Sequence, residues 1–207
     1  MPIVTISRQS GAGGHILGQA LAKRLGFRLI DREIINKIAE KANVSPESVE
    51  LAEKEAGNIL ARLINEVLSQ AFASRQVKES WMDLTEEKYV SFVKRVIPEM
   101  AAAENLVIVG RGGQVILPSR PDVVKVLLVA DQEDRIRFLT ENYSLDREEA
   151  EKVVRREEKH RIAYIEALGA ENPDDPSLYT VVFNTSHVSL KDAEDFIVDL
   201  VQRRAKV

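Results

Sequence analysis

The chain has 207 residues, enough for one α/β domain with a buried core and too few for two large ones. With 44% hydrophobic and 30% charged residues and a net charge of −4, nothing in it calls for nucleic acid or a membrane as partner, and no apolar run reaches spanning length. It has no cysteine, which excludes disulfides and thiolate metal sites and fits a reducing compartment. Met1-Pro2-Ile3 leads straight into a strand, so no signal segment is expected and a cytoplasmic location is.

Ile3-Val4-Thr5-Ile6-Ser7 reads as a buried strand, and Ile16, Leu17, Ala20, Leu21 and Leu25 recur at helical spacing up to Gly26. Phe27 to Ile30 gives a second strand ending at Asp31, before a helix carrying Ile34, Ile35, Ile38, Ala39 and Ala42. From Asn43 to about Met100 only helical patterns follow, opened by Ser45-Pro46 as N-cap and first turn. This predicts a helical lobe over 43–100 inserted into a core of 1–42 and 101–207; its helices between Asn58 and Met100 also suit a homodimer surface. Strands return at Leu106–Gly110, Val123–Ala130 and Thr180–Phe183, with helices around Asp131–Asn142, Asp146–Leu168 and Leu190–Arg204. Near-continuous apolar strands separated by helices imply a parallel sheet covered on both faces.

In such a sheet ligands gather at the carboxyl ends of the strands. There the sequence places Ser10-Gly11-Ala12-Gly13-Gly14-His15, Asp31, Gly110-Arg111-Gly112-Gly113 and Asn184-Thr185-Ser186. The first segment nearly matches GxxxxGK[ST], in which backbone N–H groups cradle phosphates, a lysine reaches the β/γ-phosphates and a hydroxyl holds magnesium. Gly14 stands where the lysine belongs. The glycine turn at a helix start still offers donors and a favourable dipole to an anion, although it also reads as a tight strand-to-helix connection.

Arg8 is the first candidate for the missing charge, through its planar fork, or else a surface arginine paired with an acid. Arg111 between glycines suits a second anionic group. Asp31 suits a sugar, a base or Arg32, or a helix N-cap. Lys152, Arg155, Arg156 and Lys159 share a helix face and form either a cationic lid or, with Glu148, Glu149, Glu151, Glu157 and Glu158, a solvated salt-bridged helix. The three histidines have no metal-ligand spacing, so magnesium is expected to arrive on nucleotide phosphates.

Taken together, Ser7-Arg8-Gln9-Ser10-Gly11-Ala12-Gly13-Gly14, Asp31, the lobe, Gly110-Arg111-Gly112, the basic helix and Asn184-Thr185-Ser186 resemble the cytidylate kinase-like branch of the P-loop nucleoside monophosphate kinases. In cytidylate kinases the loop reads SGAGKGT, so Ser10 to Gly13 match while Gly14 and Ile16 replace the lysine and the hydroxyl residue; Gly112 replaces the aspartate of their Gly-Arg-Asp. The resemblance implies a P-loop NTPase-type three-layer α/β/α fold with a five-stranded parallel sheet, an acceptor-binding helical lobe and a lid near 145–175. It implies ATP with Mg2+ as donor, a nucleoside monophosphate of the CMP or dCMP kind as acceptor, and no protein metal site. Ser10 to His15 would hold the donor, Asp31, Gly110 and Arg111 the acceptor, and Arg8, Arg155, Arg156 and Arg161 the charge of the transferring group. Gly14 and Ile16 equally suit a non-catalytic nucleotide sensor, and Gly112 a kinase for another small metabolite.

Overall fold

The run Ile-Val-Thr-Ile-Ser-Arg forms strand β1 (Ile3–Arg8), buried along nearly its whole length because β-branched side chains fit a pleated surface covered on both faces. In the computed structural model, which describes residues 1–30, 86–117 and 119–204, β1 is the centre of a sheet. Strands β3 (Leu106–Val109) and β4 (Val123–Val129) flank it in parallel, with Ile3 opposite both Leu106 and Val123. The edges are β2 (Arg28–Ile30), beside β3, and β5 (Val181–Asn184), beside β4, which gives the all-parallel order β2-β3-β1-β4-β5.

One face of this sheet is covered by α1 (Gly14–Leu25) and the C-terminal helix α6 (Leu190–Arg204), through Leu17, Leu21, Ala193, Ile197 and Val201. They meet Val4, Ile6, Val109, Val126 and Leu128, each worth about 1.5–3 kcal/mol when fully buried. Helix α1 lies so close that a β-carbon on Gly18 would run into Cγ2 of Val109. By the two-residue alternation of a strand, Ile3, Thr5 and Ser7 point to the other face, where the short α3 (Gly113–Ile116) lies against β1 and β4. The buried polar side chains Thr5, Ser7, Gln114 and Lys125 belong to this second face.

Helices α4 (Gln132–Tyr143) and α5 (Arg147–Ala167) pair through Ile136, Leu139, Ala150 and Val154, a small core of their own. A capping box opens α5: the N–H of Glu149 donates to Asp146 Oδ1 (2.8 Å) and that of Asp146 to Glu149 Oε2 (3.3 Å). The strand and helix assignments expected beyond 101 recur within a residue or two; β3 stops before Gly110 because that residue turns to φ 75.

The chain divides into two units, Met1–Asp31 with Ile97–Val207, and Arg32–Val96. Of the lobe expected over 43–100, only the part in α2 (Glu86–Ala103) falls within the described residues, and Asp31 lies outside them. No helix among the described residues is long and apolar enough to cross a membrane.

Candidate active site

The carboxyl ends of β1, β3, β4 and β5 are tied together by backbone and side-chain bonds. Gly110 N–H donates to Ile6 O (2.8 Å), Gln9 N–H to Leu128 O (3.0 Å) and Thr185 N–H to Val129 O (2.8 Å). The hydroxyl of Thr185 also donates to Ala12 O (3.4 Å), so the glycine loop, the Gly110 turn and the Asn184-Thr185-Ser186 segment converge as the sequence expected.

The loop itself bends at Gly11 (φ 85) and Gly13 (φ 81), a left-handed conformation that glycine adopts without strain. Gly11 also has no room for a side chain, since a β-carbon there would lie 2.5 Å from the carbonyl oxygen of Arg135 in α4. Helix α1 then starts at Gly14 with no side-chain cap and no acidic residue in its first turn. Its first N–H groups, from Gly14 onward, have no intrahelical acceptor, and the positive end of its dipole is uncompensated. A helix start of this kind can offer its backbone N–H groups to an anion. His15 is exposed, its ring bonded to the amide of Gln19 at 2.9 Å.

Arg8, the last residue of β1, threads past the loop. A β-carbon on Gly14 would lie 2.6 Å from Cγ, 3.0 Å from Cβ and 3.1 Å from Cδ of Arg8. One on Gly110 would collide with Nη1 and lie 3.1 Å from Cζ of the same side chain. The Gly110 turn is unusual in its own right: Gly110, Arg111 and Gly112 are consecutive left-handed residues at φ 75, 58 and 68. For Arg111 that conformation is strained, by about 1–2 kcal/mol. Gly112 packs where a β-carbon would strike Cδ1 of Leu168.

The basic helix α5 divides in two. Arg155 and Arg156, 69% and 61% exposed, pair with Glu151 (3.2 Å) and Glu157 (3.0 Å) of their own helix and are not brought to the loop. Arg161, only 10% exposed, pairs with Glu158 and with Asp174 (2.9 Å), and Asp174 accepts from the amide of loop residue Gln9 at 3.4 Å. Burial works against its charge, but Glu158 and Asp174 outweigh burial and hold the guanidinium above its ordinary value.

Arg135, which sequence reasoning missed, enters the same cluster from α4. It is 12% exposed and 3.8 Å from Glu158, and among the described residues its Nε and Nη1 have no hydrogen-bond partner. Its one available signal was position, one turn past the end of β4; on a polar helix an arginine otherwise reads as solvated. Gln114, buried at the start of α3 and facing the Tyr179 hydroxyl, was missed as well.

Beside the loop lies a groove of about 140 Å³ lined by Gly11, Ala12, Asp134, Arg137, Phe138, Thr185 and Leu190. A hydrogen bond from Ser186, with Arg137 nearby, holds the carboxyl of Asp134 below the usual range. A larger cavity, about 240 Å³, opens at the amino ends of β1 and β4 around Met1, Asp122 and Arg204. It shares no residue with the loop and lies away from the strand ends where ligands of such sheets gather.

A parallel sheet of this order, with a glycine loop between its central strand and an uncapped helix, defines a P-loop NTPase-type α/β/α protein. The chain belongs to the cytidylate kinase-like family, whose pattern matches residues 3–187. It is 29% identical over 154 residues to the cytidylate kinases of Shewanella pealeana and Shewanella halifaxensis, a match covering 65% of this chain and 66%, just under two thirds, of each relative. Among solved structures it is similar to an uncharacterized protein from Eubacterium ventriosum, with TM-score 0.65 at 19% identity, covering 98% of this chain and 99% of the other. It is also similar to a gluconokinase from Sinorhizobium meliloti, with TM-score 0.50 at 11% identity, covering 99% and 94%. At such identities the likeness to these structures is one of fold.

Proposed function

We propose that this chain is a nucleotide kinase that transfers the γ-phosphoryl group of ATP to a nucleoside monophosphate, with CMP or dCMP as the first acceptors to test. The observation that carries the reading is the backbone cradle at the uncapped start of α1 with the groove beside it. Family membership supports it. The N–H groups from Gly11 to His15 hold the donor phosphates, with Ser10 at the loop entrance, and the base lies in the groove against Phe138 and Arg137. Magnesium comes with the phosphates, to which the loop supplies neutral backbone donors.

On the acceptor side, Arg111 and the Gly110 turn bind the second anion together with Asp31. The segment near 145–175 is the lid, and Arg161 is its cation linked to the loop through Asp174 and Gln9. Arg155 and Arg156 join it only if α5 moves. Transfer of this kind needs positioning and charge balance more than covalent chemistry, so arginines can serve.

A second reading, a nucleotide sensor without transfer, is favoured by Gly14 and Ile16; a third, a kinase for another small metabolite, by Gly112. A panel of nucleoside monophosphates and other phosphate acceptors with ATP and magnesium, followed by ADP release, separates them. Turnover that depends on a nucleoside monophosphate and disappears in Arg111→Ala supports the kinase. ATP binding without turnover on any acceptor supports the sensor, and no ATP binding at millimolar concentration defeats both.

A further inference from the structure

We infer that Arg8 does the work of the absent loop lysine from the opposite side of the loop, and that Gly14 is a glycine because the Arg8 stem occupies its β-carbon position. The inference rests on the kinase reading for its chemistry, but its geometry stands alone.

Gly14 needs explaining. It is the first residue of α1, and its backbone, unlike that of Gly11 and Gly13, is not left-handed. Conformation therefore does not ask for glycine there, and glycine in a helix is less favourable than alanine by roughly 0.5–1 kcal/mol. Space does ask for it: the Arg8 stem passes 2.6–3.1 Å from where the β-carbon would be. A lysine at position 14 and an arginine at position 8 are mutually exclusive, and this chain has the arginine.

The far end of that side chain matters as much. The guanidinium lies against Gly110, beside the residue that the strained turn presents as Arg111. Arg8 thus reaches from the donor cradle to the acceptor turn, which a lysine at position 14 serving the β- and γ-phosphates has no need to do. Two adjacent arginine sources there fit an acceptor whose reacting group is itself an anion, that is, a phosphomonoester rather than a neutral hydroxyl. In the transfer, an oxygen of the acceptor phosphate forms a bond to the γ-phosphorus while the bond to the β,γ-bridging oxygen breaks, leaving its electron pair on ADP. A phosphomonoester dianion has no proton to lose, so the protein must balance charge, and a guanidinium between the two phosphates does that without a general base.

The test uses the whole chain with Arg8→Ala, Arg8→Lys, Gly14→Lys, Gly14→Ala and the double variants Arg8→Ala/Gly14→Lys and Arg8→Ala/Gly14→Ala. With the acceptor found in the panel, Arg8→Ala is expected to lower kcat by about 10²–10³, the range for loss of one preorganised charge-stabilising group. It should raise the acceptor KM and also weaken ATP binding measured without acceptor. Gly14→Lys alone is inactive, and Arg8→Ala/Gly14→Lys recovers activity over Arg8→Ala. Arg8→Lys, lacking the fork, does not restore wild-type kcat.

Thermal unfolding reads the geometry without any activity: Gly14→Ala lowers Tm in the parent and raises it in the Arg8→Ala background. An active Gly14→Lys, a fully active Arg8→Ala, or an equal effect of Gly14→Ala in both backgrounds overturns the inference. A parent protein without turnover on any acceptor instead overturns the kinase reading, and the chemical half of this inference with it; the Tm comparison still decides the geometric half.

Discussion

Replacing Gly112 by alanine adds one methyl group where the fold has neither the conformation nor the room for it. The residue sits at φ 68, and a side chain in that left-handed region costs about 1–2 kcal/mol. The new carbon also meets Cδ1 of Leu168, itself buried, and overpacking of this kind costs about 1–3 kcal/mol. The sum is a destabilisation of about 2–5 kcal/mol for a single methyl group. Urea unfolding followed by circular dichroism measures it, and a double-mutant cycle with Leu168→Ala divides it. Removing Leu168 abolishes the collision but not the backbone term, so the two changes should couple by about 1–3 kcal/mol, the packing share. A loss below about 1 kcal/mol, or two losses that add to within about 0.5 kcal/mol, refutes the account. The same carbon is the obstacle to Gly112→Asp, the change that would rebuild the Gly-Arg-Asp of cytidylate kinases.

Lys125 is 7% exposed, its ammonium reaches Ser119 Oγ (3.4 Å), and burial pushes its pKa below the ordinary 10.5. Between the lowered and the ordinary value the unfolded chain binds the proton more tightly, so this lysine makes stability rise with pH through that window. Lys125→Met should be more stable at neutral pH and show a smaller gain on going to about pH 10; an unchanged pH slope contradicts the assignment. Arg161→Ala leaves the partly exposed Glu158 and Asp174 without the cation that bridges them and should cost about 1–3 kcal/mol in thermal unfolding. The variant Arg161→Met with Glu158→Gln should recover part of that loss; if the single change costs nothing, the cluster does not hold α5 to the loop.

The strands and helices outside the lobe were legible because their signals are local. Leu106–Val109 and Val123–Val129 are near-continuous apolar runs of strand length, and Leu17 and Leu21 mark the buried stripe of a helix that ends at Gly26. The glycine loop was legible for the same reason, since a turn between a strand and a helix is written in consecutive residues. The basic helix was ambiguous: Arg155, Arg156 and Arg161 look alike as letters, yet the first two lie on the surface of α5 and the third is buried against Asp174. Which arginine turns inward depends on what packs beside the helix, and periodicity on a helix with a weak apolar stripe does not encode that.

By itself, the sequence determined the parallel α/β class, the glycine turn between β1 and α1 and the absence of a lysine at position 14. Only the tertiary structure decided what that absence means. Arg8 and Gly14 are six positions apart and Gly110 almost a hundred beyond, yet the Arg8 side chain passes both glycines because β1 and β3 are neighbours in the sheet. Local chemistry sets which turn and which helix form. The occupancy of a few cubic ångströms above the loop is set by strand pairing, and pairing between segments this far apart leaves no mark in either segment alone.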